Sequence, residues 1–257
     1  MTVTRRPALR RSMTARAAIV TERAPDGRTV LATMRSDPPL TLRGTAPGQV
    51  HLVSTAAGPL GGDDLALDIE VGAGSSLDVR SVASTLVLPG SGAAESLMTV
   101  TARVGPGASL RFAPEPTVLA AGCLHRVVVR LTLAEDARVS WREEIVFGRY
   151  GERPGRCHSR FDATAGDGPL LRQEFVVGDP AIDTGPAVYG DARCVGSILT
   201  TVRAPESAVG NGWAVLPLAG PGTLISALGR DCVELRQRLR SGESHLETVT
   251  VPPRERS

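Results

Sequence analysis

No lysine occurs anywhere in this chain, so the 29 basic residues are all arginine, set against 27 acidic ones. A phosphate loop of the Gly-Lys-Ser/Thr type is excluded, because the ammonium it requires is missing. Aromatic residues make up only 3%, with Trp141 and Trp213 the two tryptophans. The core must therefore be built from Val, Leu, Ala and Ile, and there is little material for the aromatic platforms that β-fold carbohydrate enzymes present. No apolar run approaches the roughly 18 residues of a membrane helix. A formal net charge of +2 gives no general affinity for nucleic acid, which requires a concentrated basic surface. Cysteine is scarce and scattered, at Cys123, Cys157, Cys194 and Cys232, with no signal peptide ahead of it. That usage suits reduced thiols in the cytoplasm better than disulfides. A Gly-x-Ser-x-Gly elbow is absent too, and no Ser/His/Asp or Cys/His arrangement stands out.

What the chain does have is alternation. Leu65, Leu67, Ile69 and Val71 share one face of a strand, with Asp68 and Glu70 on the other. A loop over residues 72–76 follows, and Leu77 and Val79 resume the apolar face. Read as a hairpin with Val71 opposite Leu77, this sets Glu70 against Asp78 and Asp68 against Arg80. The turn then repeats: residues 71–77 are echoed by 104–110 and more weakly by 133–139, offsets of 33 and 29. A fourth turn, Gly166-Asp167-Gly168-Pro169, precedes Leu170. Regular turns joining alternating runs fit successive layers over residues 65–177, either stacked in a helix-like β arrangement or set as a β-sandwich. Past Gly178 comes a Pro- and Gly-rich loop over residues 179–191, then strands over 197–203, 213–218 and 223–228. The one substantial helix is expected over 231–240, capped by Asp231, with Val233, Leu235 and Leu239 as contacts and Gly242 past its end. Residues 1–18, rich in arginine, read as a disordered arm, 19–250 as a single β domain and 251–257 as a tail.

Three groups of residues could carry chemistry. Asp63 and Asp64 end the glycine-rich turn at Gly58, Gly61 and Gly62; they fit a hard cation, or Asp63 simply bonds turn amides. Cys123, His125, Cys157 and His158 have the inventory of a tetrahedral metal site without its usual spacing, and a small buried thiol also serves as packing. Glu143 and Glu144, near Arg149 and Glu152, offer the carboxylate pair of a glycosidase, or else solvated ion pairs with neighbouring arginines.

Five blocks in order resemble the UreD (UreH) family of urease accessory proteins. They are Arg28-Thr29-Val30-Leu31 with residues 35–40; Gly58-Pro59-Leu60-Gly61-Gly62-Asp63 with residues 67–71; and Pro114-Glu115-Pro116-Thr117. Gly148-Arg149 with Gly151-Glu152, and residues 167–171, complete the set. Residues 80–88 depart from the family, which usually has a Thr-Thr-Gln-Ala-Ala-like stretch there. The resemblance implies an all-β, β-helix-like fold of layered strands with a short C-terminal helix. It also implies a non-catalytic chaperone of urease maturation that docks on the urease apoprotein. A UreF-type accessory protein and, through it, a UreG-type GTPase would be its partners, with neither nucleic acid nor membrane involved. No tightly bound cofactor is expected, only transient nickel, for which Asp63, Asp68 and Glu70 are the candidate path because carboxylates are suitable weak oxygen ligands. The competing readings are a β-solenoid hydrolase or lyase using Glu143/Glu144 or Asp63/Asp64, and a metal-storage module built on the Cys/His set.

Overall fold

The computed structural model describes residues 12–90 and 94–250. The chain enters as β1 (Thr14–Arg23), turns back as β2 (Thr29–Arg35), and makes a second hairpin from β3 (Leu40–Ala46) and β4 (Gln49–Ser54). There follow β5 (Asp64–Val71), β6 (Ser76–Ser81), β7 (Thr85–Val87), β8 (Ser96–Val104), β9 (Ser109–Phe112) and β10 (Thr117–Leu119). The layers continue as β11 (Leu124–Leu133), β12 (Arg138–Val146), β13 (Arg156–Ala165) and β14 (Gly168–Val177). A one-turn helix, α1 (Pro180–Asp183), precedes β15 (Cys194–Thr200), β16 (Ala208–Gly210), β17 (Trp213–Pro217), β18 (Thr223–Gly229) and the terminal helix α2 (Cys232–Thr250).

Two sheets face each other. The first runs β14-β13-β11-β8-β5-β1-β2, the second β16-β17-β18-β15-β12-β9-β6-β4-β3. From β5 to β13 the chain passes between the sheets, so neighbours within each are parallel, as successive coils of a solenoid. The sequence repeat is the register of that stacking. Val71 pairs with Val104 and Val104 with Leu133; Leu77 pairs with Leu110 and Leu110 with Val139. Each alternating strand buries its apolar positions between the sheets, and because both sheets advance by the same offset at each step, like stacks on like.

Four expectations change. The loop over residues 72–76 is a corner between sheets, not a hairpin. Glu70 therefore does not face Asp78, which pairs with Arg80 at 2.7 Å and Arg111 at 3.6 Å. The turn at Gly166 is a true hairpin joining β13 and β14 in one sheet. Of the arm expected over 1–18, residues 1–11 lie outside the described residues, while Ala15 and Ala17 are fully buried in β1. Alanine at alternate positions lets this strand pack tightly, and β1 pairs in parallel with β5 along its length. The expected tail, residues 251–257, lies outside the described residues. Finally, α2 runs through Gly242, where a Cβ would sit 2.5 Å from Cγ2 of Ile225. That glycine is a packing requirement rather than a stop. Asp231 does cap the helix, its Oδ1 accepting the Glu234 N–H at 2.8 Å.

The main core lies between the sheets and holds three of the few aromatic rings. Phe112 stacks on Trp141 at 4.0 Å between centroids, and Phe161 meets Trp141 edge-on at 5.7 Å. A second core forms where α2 covers the outer face of β15, β17 and β18 through Leu235 and Leu239. A third, with Cys123, Cys157, Phe147 and Val177, fills the space behind β10 and β13.

Candidate functional site

The second sheet is broken. On one side of β12, β9 pairs with residues 138–141 and β10 with residues 145–146, leaving Arg142–Glu144 without a strand partner there. The adjoining coil is interrupted at the same level between β6 and β7. Behind this window lies a partly open cavity of about 210 Å³, walled mainly by apolar side chains such as Leu65, Val100, Phe112 and Val127. Its polar groups are Glu143, His125 and Ser159, with Ser81, Thr85 and Glu115 around the window.

Local chemistry braces the rim. The Ser81 hydroxyl accepts the Glu115 N–H at 2.8 Å, and Arg142 donates to the carbonyls of Ala113 and Pro114. From outside, Arg236 of α2 bonds Glu144 at 2.9–3.2 Å and Glu115 at 2.8 Å. Inside, Nδ1 of the buried His125 lies 2.8 Å from the Ser96 hydroxyl. Burial pushes the His125 imidazole down to about 4, so it is neutral at pH 7. Burial pushes the Glu143 carboxyl up to about 7, against a smaller opposing pull from Trp141. An acid poised near neutrality and a neutral imidazole thus share one low-dielectric space.

The residues singled out from sequence are distributed differently. Glu143 and Glu144 are adjacent on β12 and point to opposite faces: Glu143 inward beside Trp141, Glu144 outward onto α2. They cannot flank one scissile bond as a glycosidase pair must. Asp63 and Asp64 also part. Asp64 pairs with Arg16 at 2.8 Å on the surface, whereas buried Asp63 accepts backbone N–H groups from Met13 at 2.8 Å and Leu60 at 2.9 Å. The glycines before it are required by this close loop, since a Cβ on Gly61 would lie 2.5 Å from the Ala94 carbonyl. Asp68 and Glu70 stand exposed on the outer face of the first sheet, away from Asp63. Glu152 pairs with Arg149, whose guanidinium holds its carboxyl down to about 2.

The Cys/His set is split as well. Cys123 and Cys157 are core residues, His125 faces the cavity, and His158 lies between Arg126 at 2.9 Å and Glu174 at 2.5 Å on the outer face. Among the described residues no group of three or more His, Cys, Asp or Glu could hold a metal ion. Among the same residues no helix is long and apolar enough to cross a membrane. The cavity acid was available in the sequence: in Val139-Ser140-Trp141-Arg142-Glu143-Glu144-Ile145, Glu143 occupies an inward position of the alternation. Arg236 carries no such signal, because its partners lie 92 and 121 residues away.

The profile of the family described as "UreD urease accessory protein" matches residues 13–255. The chain belongs to the UreD family. A urease accessory protein UreD from Frankia casuarinae is 44% identical, over 91% of this chain and 89% of its own. Another from Frankia alni is also 44% identical, over 90% and 92%. Urease accessory protein UreD 1 of Saccharopolyspora erythraea is 36% identical, over 91% and 95%. A UreD-family protein serves urease maturation and is not itself a catalyst, and the divergent carboxylates of β12 agree with that. Within this family the Gly-Gly-Asp block acquires a physical reading: Asp63 ties the loop ahead of β5 to the start of β1. Asp63→Ala should cost about 1–3 kcal/mol by orphaning two amides. Asp68→Asn should leave stability unchanged, and urea denaturation of both variants checks the contrast.

Proposed function

We propose that this chain is a non-catalytic maturation chaperone and scaffold that docks on the urease apoprotein and helps deliver nickel to its active site. A UreF-type accessory protein joins it, and a UreG-type GTPase is reached through that protein, in the cytoplasm. One observation carries the reading: the interior of a UreD-family chain holds a partly open cavity lined by both Glu143 and a neutral His125. Carboxylate and imidazole are competent ligands for a divalent first-row ion. Two such donors hold it weakly enough for passage, and nickel is cargo here, with no resident cofactor. Asp68 and Glu70 supply further oxygen ligands on the outer face, while Asp63 shapes the loop between the two regions. Apolar side chains left in water, including Val82 at the window rim and Val233 on α2, suit a surface covered by partners.

The test is maturation of co-expressed urease, read as nickel per enzyme, with a pull-down of the urease subunits in parallel. Glu143→Gln should retain the pull-down and lower nickel loading several-fold, and Asp68→Asn with Glu70→Gln should lower it less. Full loading in the absence of this chain, or no co-purification with urease, would sink the proposal.

A further inference from the structure

The four free thiols fall into two pairs of unlike accessibility. Cys123 and Cys157 are both sealed in the third core, at 0% and 1% exposure. Cys194 and Cys232 differ from each other: Cys194 is buried at the start of β15, and Cys232 is half-buried at the first position of α2. The fold sets them together. Cys194 pairs across the sheet with Gly229, the last residue of β18, and the chain needs only Arg230 and Asp231 to turn into the helix. Its Asp231 cap brings Cys232 back towards Cys194, where the two side chains pack in one apolar cluster with Leu235 and Leu239.

Helical spacing extends the consequence. Cys232, Leu235, Arg236 and Leu239 lie at i, i+3, i+4 and i+7, one face of α2. Whatever fastens Cys232 to β15 also holds Arg236, one turn on, against Glu144 and Glu115 at the rim of the window.

We propose that Cys194 and Cys232 are a reversible redox pair, and that a peroxide joins them in a disulfide that latches α2 to β15. The chemistry balances with hydrogen peroxide as oxidant. The Cys232 thiol, the more accessible of the two, gives up its proton, and its sulfur attacks one peroxide oxygen. The O–O bond breaks and hydroxide leaves, taking up a proton to become water, with Cys232 left as the sulfenic acid. The Cys194 sulfur then attacks the Cys232 sulfur; the S–O bond breaks, and the departing hydroxide leaves as water with the Cys194 proton. In sum two thiols are oxidised and one peroxide is reduced to two waters, and a dithiol reverses the bond. Burial keeps Cys194 protonated, its thiol pushed up to about 12, so it acts as the resolving partner and not as the first nucleophile.

The experiment uses the full chain, reduced, treated with hydrogen peroxide and then blocked with an alkylating reagent. Trypsin leaves Cys194 on the peptide Cys194–Arg203 and Cys232 on Asp231–Arg236, so the cross-link is a single new mass. Free thiols should fall from four to two, and dithiothreitol should restore them. The oxidised chain should melt roughly 5 °C or more above the reduced one, because the bond closes a loop of the unfolded chain. Cys194→Ser should abolish the cross-link and leave a Cys232 sulfenic acid that dimedone traps. Cys232→Ser should leave Cys194 unreactive in a chain whose melting temperature matches the reduced wild type. A cross-link between Cys123 and Cys157, a dimer joined through Cys232, or over-oxidation of Cys232 with Cys194 still alkylated would each overturn the proposal.

Discussion

Arg236→Met should cost about 3–5 kcal/mol of folding stability, the cost of breaking a buried ion pair from one side. The Glu144 side chain has no exposure at all, and Arg236 meets it through both Nε and a terminal nitrogen. Methionine keeps much of the aliphatic stem but removes the fork. The carboxylate is then left with Arg142, whose Nε lies 3.4 Å away and makes no hydrogen bond with it. The same substitution frees the loop at Glu115, so the window loses its clamp together with the helix. Glu115→Gln tests that arm alone and should cost well under 1 kcal/mol, because Glu115 is partly exposed to water. The double variant Arg236→Met with Glu144→Leu should recover much of the loss, since an apolar pair of similar volume avoids the stranded charge. Urea unfolding of the three variants measures this. A loss below 1 kcal/mol for Arg236→Met would mean that water reaches Glu144 and that α2 is held by Leu235 and Leu239 alone.

Much of the solenoid was legible because its cause is local. Alternation in Leu65–Val71 and a glycine corner repeated at a near-constant offset are both properties of short segments, and stacking converts the offset into register. The error at Leu77 has the same origin. Alternation says which residues share a face but not which sheet the next strand joins, so a corner and a hairpin read alike. Gly242 misled for a related reason: glycine at a helix end and glycine under a neighbouring strand are the same letter until Ile225 is in place. The candidate site was less accessible still. Its acid lay in plain view within an inward-facing series, but the window exists only because β9 and β10 stop at different points along β12. Asp63 could be read as a turn residue, whereas Met13, the partner that makes it a tie between strands, lies 50 residues away.

Glu143 should make the stability of the chain depend on pH in a direction opposite to an ordinary paired carboxylate. Burial lifts its folded pKa from 4.5 to about 7. Between those values the native state holds a proton that the unfolded chain has released, so stability must fall as pH rises through this window. Below about pH 4.5 both states are protonated and Glu143 costs nothing. Above about pH 7 the carboxylate is charged in an apolar space, and the shift converts to about 3 kcal/mol. Glu143→Gln removes the titration while preserving shape. Its advantage over wild type should be absent at low pH, grow across the window and level off above it, as read from urea unfolding at a series of pH values. A difference independent of pH would mean that water fills the cavity and Glu143 behaves as a surface acid. Under the proposed function the same charge would make the cavity selective for cations. At pH 8 the Glu143 anion lines a mainly apolar cavity, and under the proposed function a divalent cation entering through the window would neutralise it. Added nickel should therefore raise the melting temperature of the wild-type chain at pH 8, have little effect at pH 5 where the proton already occupies the site, and leave Glu143→Gln unmoved at both.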